Sequence, residues 1–363
     1  MPLPPRQGLY DPRFEHDACG VGFVANIKGE ASHDIVKKGV DILLNLVHRG
    51  ACGCDPLTGD GAGILLQVPH KFFKRACESE EDMELPEPGR YGVGLVFLPR
   101  DRNDRRRCQQ ILEDKIFGTG QRLIGWRDVT VNEAALGPMA RASAPIIRQV
   151  FIGSTTDDEL SFERKLFVIR RWAERTVRES NIAGRGSFYM PSLSARTIIY
   201  KGLLLAEQLA GFYKELEDPD MVSALAMVHQ RFSTNTFPTW ELAQPFRVLA
   251  HNGEINTVRG NAAWMSAREQ LFKGEVFGED IRHILPTITP GGSDSAMLDN
   301  TAELLLQAGR SLPHVMMMLV PEAWQNDELM PEHKRAFYEY HSCLVEPWAV
   351  SYTHLTLPTN REV

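Results

Sequence analysis

The sequence predicts an α+β fold in which antiparallel sheets are covered by helices. Segments that read as strands recur as neighbouring pairs instead of alternating strictly with helices, which favours antiparallel pairing over a doubly wound parallel sheet. The 363 residues are 43% hydrophobic and 24% charged, enough apolar material for one large domain or two smaller ones. No repeat at solenoid or propeller periods argues for a different architecture.

Taken in order, "GVGFVANI" (20–27) reads as a strand. Ser32 or Asp34 can then cap a helix whose apolar positions Ile35, Val36, Val40, Leu43, Leu44 and Val47 recur at helical spacing. That helix ends at "HRGACGCD" (48–55), and the glycine-rich "PLTGDGAG" turns the chain into the strand "ILLQVP". The punctuation "ELPEPGR" precedes a second strand, "YGVGLVFLP" (91–99). A helix is expected over 105–116, a strand over 146–152 and a long helix over 158–178. Strands at "GSFYM" and "ARTIIYK" and a short helix over 203–213 follow. The second half offers the strands "VSALAMVHQRF" (222–232) and "RVLAHNG" (247–253), then helices over 254–272, 296–309 and 333–342. The final "SYTHLTLPTNREV" has no apolar periodicity, and residues 349–363 are set aside as a non-native tail.

Charge and composition exclude several classes of function. A net charge of −7 and a pI near 5.9 argue against a polyanionic partner such as nucleic acid. The densest basic run, "PRDRNDRRRCQ" (99–109), carries two aspartates and reads as a solvated loop entering a helix. No apolar stretch reaches the roughly eighteen residues a membrane helix needs, and the N-terminus lacks a signal-peptide core. A cytoplasmic protein without a membrane partner is expected. Six scattered cysteines (19, 52, 54, 77, 108, 343), none in a C-x-x-C, suggest neither a disulfide framework nor a metal centre.

Chemistry concentrates in a few segments. "FEHDACGVGF" places Cys19 between a proline-rich leader and a strand. It is either a small core residue or a nucleophile whose leader must be cut away. "GDGAGI" lacks the third glycine of a dinucleotide fingerprint, so Gly59, Gly61 and Gly63 are better read as a place where two backbones meet. In "HQRFSTNTFPTW" (229–240), Arg231 offers a planar fork suited to a carboxylate, with Ser233 and Thr234 beside it, or else a surface ion pair. "LAHNGEIN" (249–256) holds an amide donor at Asn252 beside the unhindered N–H of Gly253: an oxyanion hole, or a plain Asn-Gly turn. Asp294 in "TPGGSDSAMLDN" (289–300) can cap a helix, or face an ammonium group. Arg231 and Asp294 together would bracket the head group of a free α-amino acid.

Those strings, in the order "HDACGVGFVANIKG", "HRGACGCDPLTGDGAGILLQVP", "HQRFSTNTFPTW", "LAHNGEINTVRGNAAW", "GGSDSAMLDN" and "MMLVPEAW", resemble the N-terminal amidotransferase domain of the glutamate synthase large subunit over about residues 8–348. The resemblance implies a four-layer αββα sandwich of the N-terminal-nucleophile hydrolases, with residues 1–18 as leader and 19–348 as the amidotransferase domain. It implies that Cys19, once N-terminal, attacks the side-chain amide of L-glutamine, with its own α-amine as base. Asn252 and Gly253 would hold the oxyanion, Arg231 the substrate carboxylate and Asp294 its ammonium, with Thr234 a further substrate contact. It also implies that the chain is a fragment. FMN and a 3Fe–4S iron–sulfur cluster would lie in further synthase domains, with no cofactor in this stretch and a small electron-donor subunit as a candidate partner. Two other readings of the residues stay open: a thiol hydrolase with His48, His229 or His251 as base, and a glutamine-binding module without catalysis.

Overall fold

The computed structural model describes Arg6 and residues 20–52, 55–231, 237–252, 255, 258–272, 275–345 and 347–348. In chain order these form β1 (Val21–Ala25), α1 (His33–Asn45), β2 (Ala62–Gln67), α2 (His70–Glu81), β3 (Tyr91–Leu98), α3 (Arg102–Gly118), β4 (Arg122–Asp128), α4 (Pro138–Ser143), β5 (Ile146–Gly153), α5 (Glu159–Glu179), β6 (Tyr189–Ser194), β7 (Thr197–Gly202), α6 (Leu209–Phe212), β8 (Leu225–Gln230), α7 (Val258–Glu269), α8 (Ile281–Ile284), α9 (Asp294–Gln307), α10 (Leu312–Leu319) and α11 (Glu332–Ser342). The strands build two four-stranded sheets, ordered β1-β8-β2-β7 and β4-β5-β3-β6. Every pairing is antiparallel. The predicted α+β class, two antiparallel sheets layered with helices, is the fold observed.

Local chemistry starts the long helices where they begin. The Asp101 carboxylate accepts from the N–H groups of Asn103 and Asp104, both at 2.9 Å, and so caps α3. Asp158 does the same for α5 by accepting from Ser161 N–H at 2.7 Å. In α1 the expected stripe is narrower than its periodicity suggests. Ile35, Val36 and Leu43 are buried, whereas Leu44 stays 41% exposed.

Strand β3 explains how the layers stack. Tyr91, Val93, Leu95 and Phe97 enter a core shared by both sheets with α1 and α2, while Val96 and Leu98 enter a second core with α3 and α5. Burial on both faces is why "YGVGLVFL" is an unbroken apolar run. A buried polar knot also ties sheet to sheet. Arg127 on β4, 1% exposed, pairs with Glu215 at 2.5 Å and Glu80 at 2.7 Å and donates to Gln149 of β5 at 2.8 Å. Tyr200 of β7 donates to the other Glu215 oxygen at 2.7 Å.

Residues 247–252 correct one expectation, because they form no strand. Their backbone groups bond to side chains instead of to a neighbouring strand. Val248 N–H donates to Asp299 of α9 at 2.8 Å, and His251 N–H donates to the Gln244 amide oxygen at 2.8 Å. An apolar run satisfied in this way looks like a strand in sequence and is not one. Strand β4 and helices α2 and α10, unmarked in the sequence reading, complete the layers.

The glycines read as points of close approach are used that way. A Cβ on Gly63 would meet the Gln244 carbonyl oxygen at 2.5 Å and the Lys201 Cβ at 2.6 Å. On Gly59 it would meet the Leu204 carbonyl oxygen at 2.5 Å. Gly63→Ala should therefore destabilise the fold by ~1–3 kcal/mol, as overpacking does. A urea midpoint indistinguishable from the parent's would show that the two backbones can part without cost.

Candidate active site

The site grows from the end of β8, where antiparallel pairing sets His229 opposite Val21 of β1. The pairing runs one step further: Gln230 N–H donates to the Gly20 carbonyl at 2.8 Å. Arg231 N–H then donates to the Gly61 carbonyl at 2.9 Å, joining the predicted cation to the glycine turn. Gly20 is the residue that follows Cys19 in sequence. Cys19 itself lies outside the described residues, as do Gly253 and Thr234.

Asn252 meets this edge from the opposite side. The amide orientation that satisfies every neighbour has Nδ2 donating to His229 Nε2 and, at 3.3 Å, to the His251 carbonyl, while Oδ1 accepts from Gly20 N–H at 2.5 Å. A predicted site residue thus bonds to the backbone one residue beyond the predicted nucleophile. His229 is 1% exposed, and burial pushes its ring down to about 4, so it is neutral at ordinary pH and its Nε2 can accept. His251 is partly buried, its ring also pushed down by burial, and its Nδ1 lies 3.4 Å from Ser295 Oγ.

The charged pair is assembled too. Arg231 is 6% exposed. Burial lowers its pKa, opposed by the carboxylates of Asp60, Asp294 and Glu241 in that order. Arg231 and Asp294, sixty-three positions apart in sequence, therefore lie within each other's field. The cap of α9 is Ser293, whose hydroxyl accepts from Ala296 N–H at 3.2 Å, and Asp294 is the first helical residue. Its Oδ1 accepts from Ser295 N–H at 2.6 Å. The capping role that sequence offered Asp294 thus belongs to its neighbour.

Two participants were not singled out by sequence as parts of this constellation. Asp60, buried in the "GDGAG" turn, is the acid with the largest effect on Arg231. An acid between two glycines that face a strand end was the available signal. His229 was weighed only as a base, yet its Nε2 is bonded to Asn252. His48 lies exposed, with its ring bonded to the Asn45 carbonyl. Among the described cysteines, burial pushes the Cys77 thiol up to about 12 and the Cys108 thiol up to about 11, values suited to packing and not to attack. Among the described residues no group of three or more His, Cys, Asp or Glu could hold a metal ion, and no helix is long and apolar enough to cross a membrane.

Two antiparallel sheets layered with helices thus bring Asn252 to Gly20 and His229, and Arg231 into the field of Asp294. The model for the class-II glutamine amidotransferases matches residues 19–352, and the chain belongs to that family. The large chain of glutamate synthase [NADPH] from Bacillus subtilis is 52% identical over 357 residues, covering 97% of this chain and 23% of that protein. Glutamate synthase [NADH] of Saccharomyces cerevisiae is 44% identical, covering 95% of this chain and 16% of that protein. Ferredoxin-dependent glutamate synthase 2 of Arabidopsis thaliana is 40% identical, covering 94% and 21%. The chain thus spans less than a quarter of the length of these relatives.

A neutral buried histidine carries a consequence for stability. Its folded pKa of about 4 lies below an unfolded value near 6.5. The stabilisation is complete above about pH 6.5 and is lost as pH falls toward 4, because the unfolded chain then binds the extra proton. Between about pH 7.5 and about pH 5 this should remove ~2 kcal/mol. Urea melts of His229→Gln at the two pH values should show a slope smaller by that amount; an unchanged slope would mean that His229 titrates normally.

Proposed function

We propose that this chain is the glutamine-hydrolysing domain of a glutamate synthase, working through Cys19 as an N-terminal nucleophile. The observation that carries the reading is Asn252 Oδ1 accepting from Gly20 N–H, which puts an amide donor beside the residue next to Cys19. In support, the family match opens at Cys19 and omits residues 1–18. Removal of that leader frees an α-amine whose ordinary pKa of about 7.7–8.0 suits a general base at neutral pH.

In this mechanism the amine takes the thiol proton and the Cys19 sulfur attacks the Cδ of L-glutamine. The resulting oxyanion is held by Asn252 Nδ2 and Gly253 N–H. Of the two Nδ2 hydrogens, the one on the His251 carbonyl, where the N–O distance is 3.3 Å, is the one to be given to the oxyanion. Collapse of the tetrahedral species breaks the C–N bond, and the ammonium of Cys19 returns its proton to the departing ammonia. Water then hydrolyses the thioester to glutamate and restores the thiol. Arg231 pairs with the substrate α-carboxylate and Asp294 with its α-ammonium, with Thr234 an additional contact. The guanidinium is largely buried, and a carboxylate beside it would form a charge-assisted, bidentate pair.

In the longer protein the ammonia would pass to 2-oxoglutarate to make a second glutamate. FMN and a 3Fe–4S cluster would serve that half of the reaction. The described residues offer no cluster of thiols for iron and sulfur, with Cys77 and Cys108 buried apart in different cores. The remaining synthase domains, and a small electron-donor subunit, are the proposed partners. Four free thiols at 52, 77, 108 and 343 fit a reducing, cytoplasmic setting.

Intact mass of the full-length protein after exposure to an electrophilic glutamine analogue tests processing and nucleophile together. Loss of residues 1–18 with one adduct, absent in Cys19→Ser, is expected; an adduct on a chain that keeps its leader would sink the N-terminal mechanism. Kinetics should also separate the two halves of the site. Arg231→Ala should raise KM for glutamine by the ~2–5 kcal/mol typical of a lost buried charge partner. Asn252→Ala should lower kcat by about 10²–10³ with little change in KM. An Asn252 effect confined to KM would remove it from the oxyanion role.

A further inference from the structure

Lys201, near the end of β7, is 0% exposed. Its ammonium donates to the backbone carbonyls of Glu241 at 2.9 Å and Ala243 at 2.6 Å and reaches Tyr189 Oη at 3.4 Å. The rings of Phe246 and Tyr189 face it, with centroids at 4.6 and 4.9 Å. None of these contacts is a carboxylate. Burial lowers the Lys201 pKa, and the fields of Asp299 and Glu241, the carbonyl oxygens and the ring faces offset that cost only in part. The acceptors, however, are two residues of one segment that leads directly to Gln244.

Gln244 is 5% exposed and grips a single peptide group with both ends of its amide. Its Nε2 donates to the His251 carbonyl at 3.0 Å, and its Oε1 accepts from His251 N–H at 2.8 Å. That peptide group leads directly into Asn252, the next residue of the chain. The lysine's own backbone is fixed from behind, since Tyr213 donates to the Lys201 carbonyl at 2.7 Å. An unbroken series of bonds therefore runs from the sheet, through Lys201 and residues 241–244, to Asn252. Residues 247–252 have no strand partner; Arg247 and Val248 are anchored on Asp299, and Gln244 holds the peptide next to Asn252.

We infer that Lys201 and Gln244 are positioning residues for amide hydrolysis, which hold Asn252 against the residue that follows the nucleophile. The inference rests on the oxyanion role proposed for Asn252. A donor displaced by a fraction of an ångström still binds the ground-state substrate, whose affinity comes from Arg231 and Asp294. It loses its grip on the transition state.

The test is a double-mutant cycle in the full-length protein, measuring ammonia release from glutamine together with urea midpoints. Lys201→Met keeps the length of the stem but leaves the Glu241 and Ala243 carbonyls without this donor, so the midpoint should fall modestly. Its kcat should fall by about 10–100-fold with KM within about threefold. Gln244→Met should do the same, and it carries the test alone if Lys201→Met does not fold. Neither substitution should lower kcat further in an Asn252→Ala background, because residues that act as a unit are not additive. A full additional loss in that background, or a loss seen only in KM or in the midpoint, overturns the inference while leaving Asn252 its role. An unchanged kcat for Asn252→Ala overturns both.

Discussion

The structure depends on backbone meeting backbone along β2 and β7. The segment leading to Gln244 crosses that surface so closely that a side chain at 61 or 63 has nowhere to stand: a Cβ on Gly61 would lie 2.8 Å from the Ala243 Cβ, and one on Gly63 would lie 2.5 Å from the Gln244 carbonyl oxygen. Gly61 also holds φ at +135°, where other residues are strained. Because the approach is close, Lys201 can reach two carbonyls of the passing chain, and Gln244 can reach the His251 peptide. Because the Gly61 carbonyl is free of its own strand at this point, it can accept from Arg231 N–H. The glycines, the lysine and the arginine thus form one arrangement.

Charge is handled in two ways on either side of this surface. Arg247, buried, is surrounded by acids: it lies 3.4 Å from Glu174 of α5 and 3.4 Å from Asp299 of α9, and donates to the Met190 carbonyl of β6 at 2.9 Å. Those contacts raise its pKa and lock α9 to α5 and β6. Arg231 is nearly as buried, yet its pKa is lowered, because burial outweighs the acids that face it. One arginine is compensated and acts as a structural pin. The other is dominated by burial, and the helix that Arg247 pins is the one that begins with Asp294. Rigidity on one side thus maintains a fixed separation between the two charges on the other.

Sequence made the sheets legible because their strands are short apolar runs bounded by Gly, Pro and Asp, and it made α1, α3, α5 and α9 legible through periodicity and caps. Strand β4 escaped because "RLIGWRD" carries charge at both ends and a glycine beside an irregular pairing between Leu123 and Gly125. Residues 247–252 misled in the opposite sense, since β-prone side chains say nothing of whether a partner strand or a side chain will satisfy the backbone. At the candidate site, Arg231, Asn252 and Asp294 stood out as an arginine at a strand end, an Asn-Gly step and an acid at a helix start after Gly-Gly. Lys201 and Gln244 were not, because one sits inside the strand "ARTIIYK" and the other before a proline, with nothing local to show that their partners lie forty and seven residues away.

The state of His229 bears on which residue activates the nucleophile. A thiol hydrolase of the Cys–His kind needs an imidazole that can accept a proton from the thiol and keep it through attack. His229 is held near pKa 4 by burial, and its Nε2 is occupied by Asn252, so protonation would break a hydrogen bond in a place that water does not reach. His251 spends its backbone on Gln244, and its ring, also lowered by burial, is directed toward Ser295. Both histidines serve the posture of Asn252 better than they serve proton transfer. The base is then best supplied by a group that reaches the thiol without crossing this bonded edge. The α-amine of a processed Cys19 would meet that condition by covalent attachment, which is the physical ground for the N-terminal mechanism proposed above.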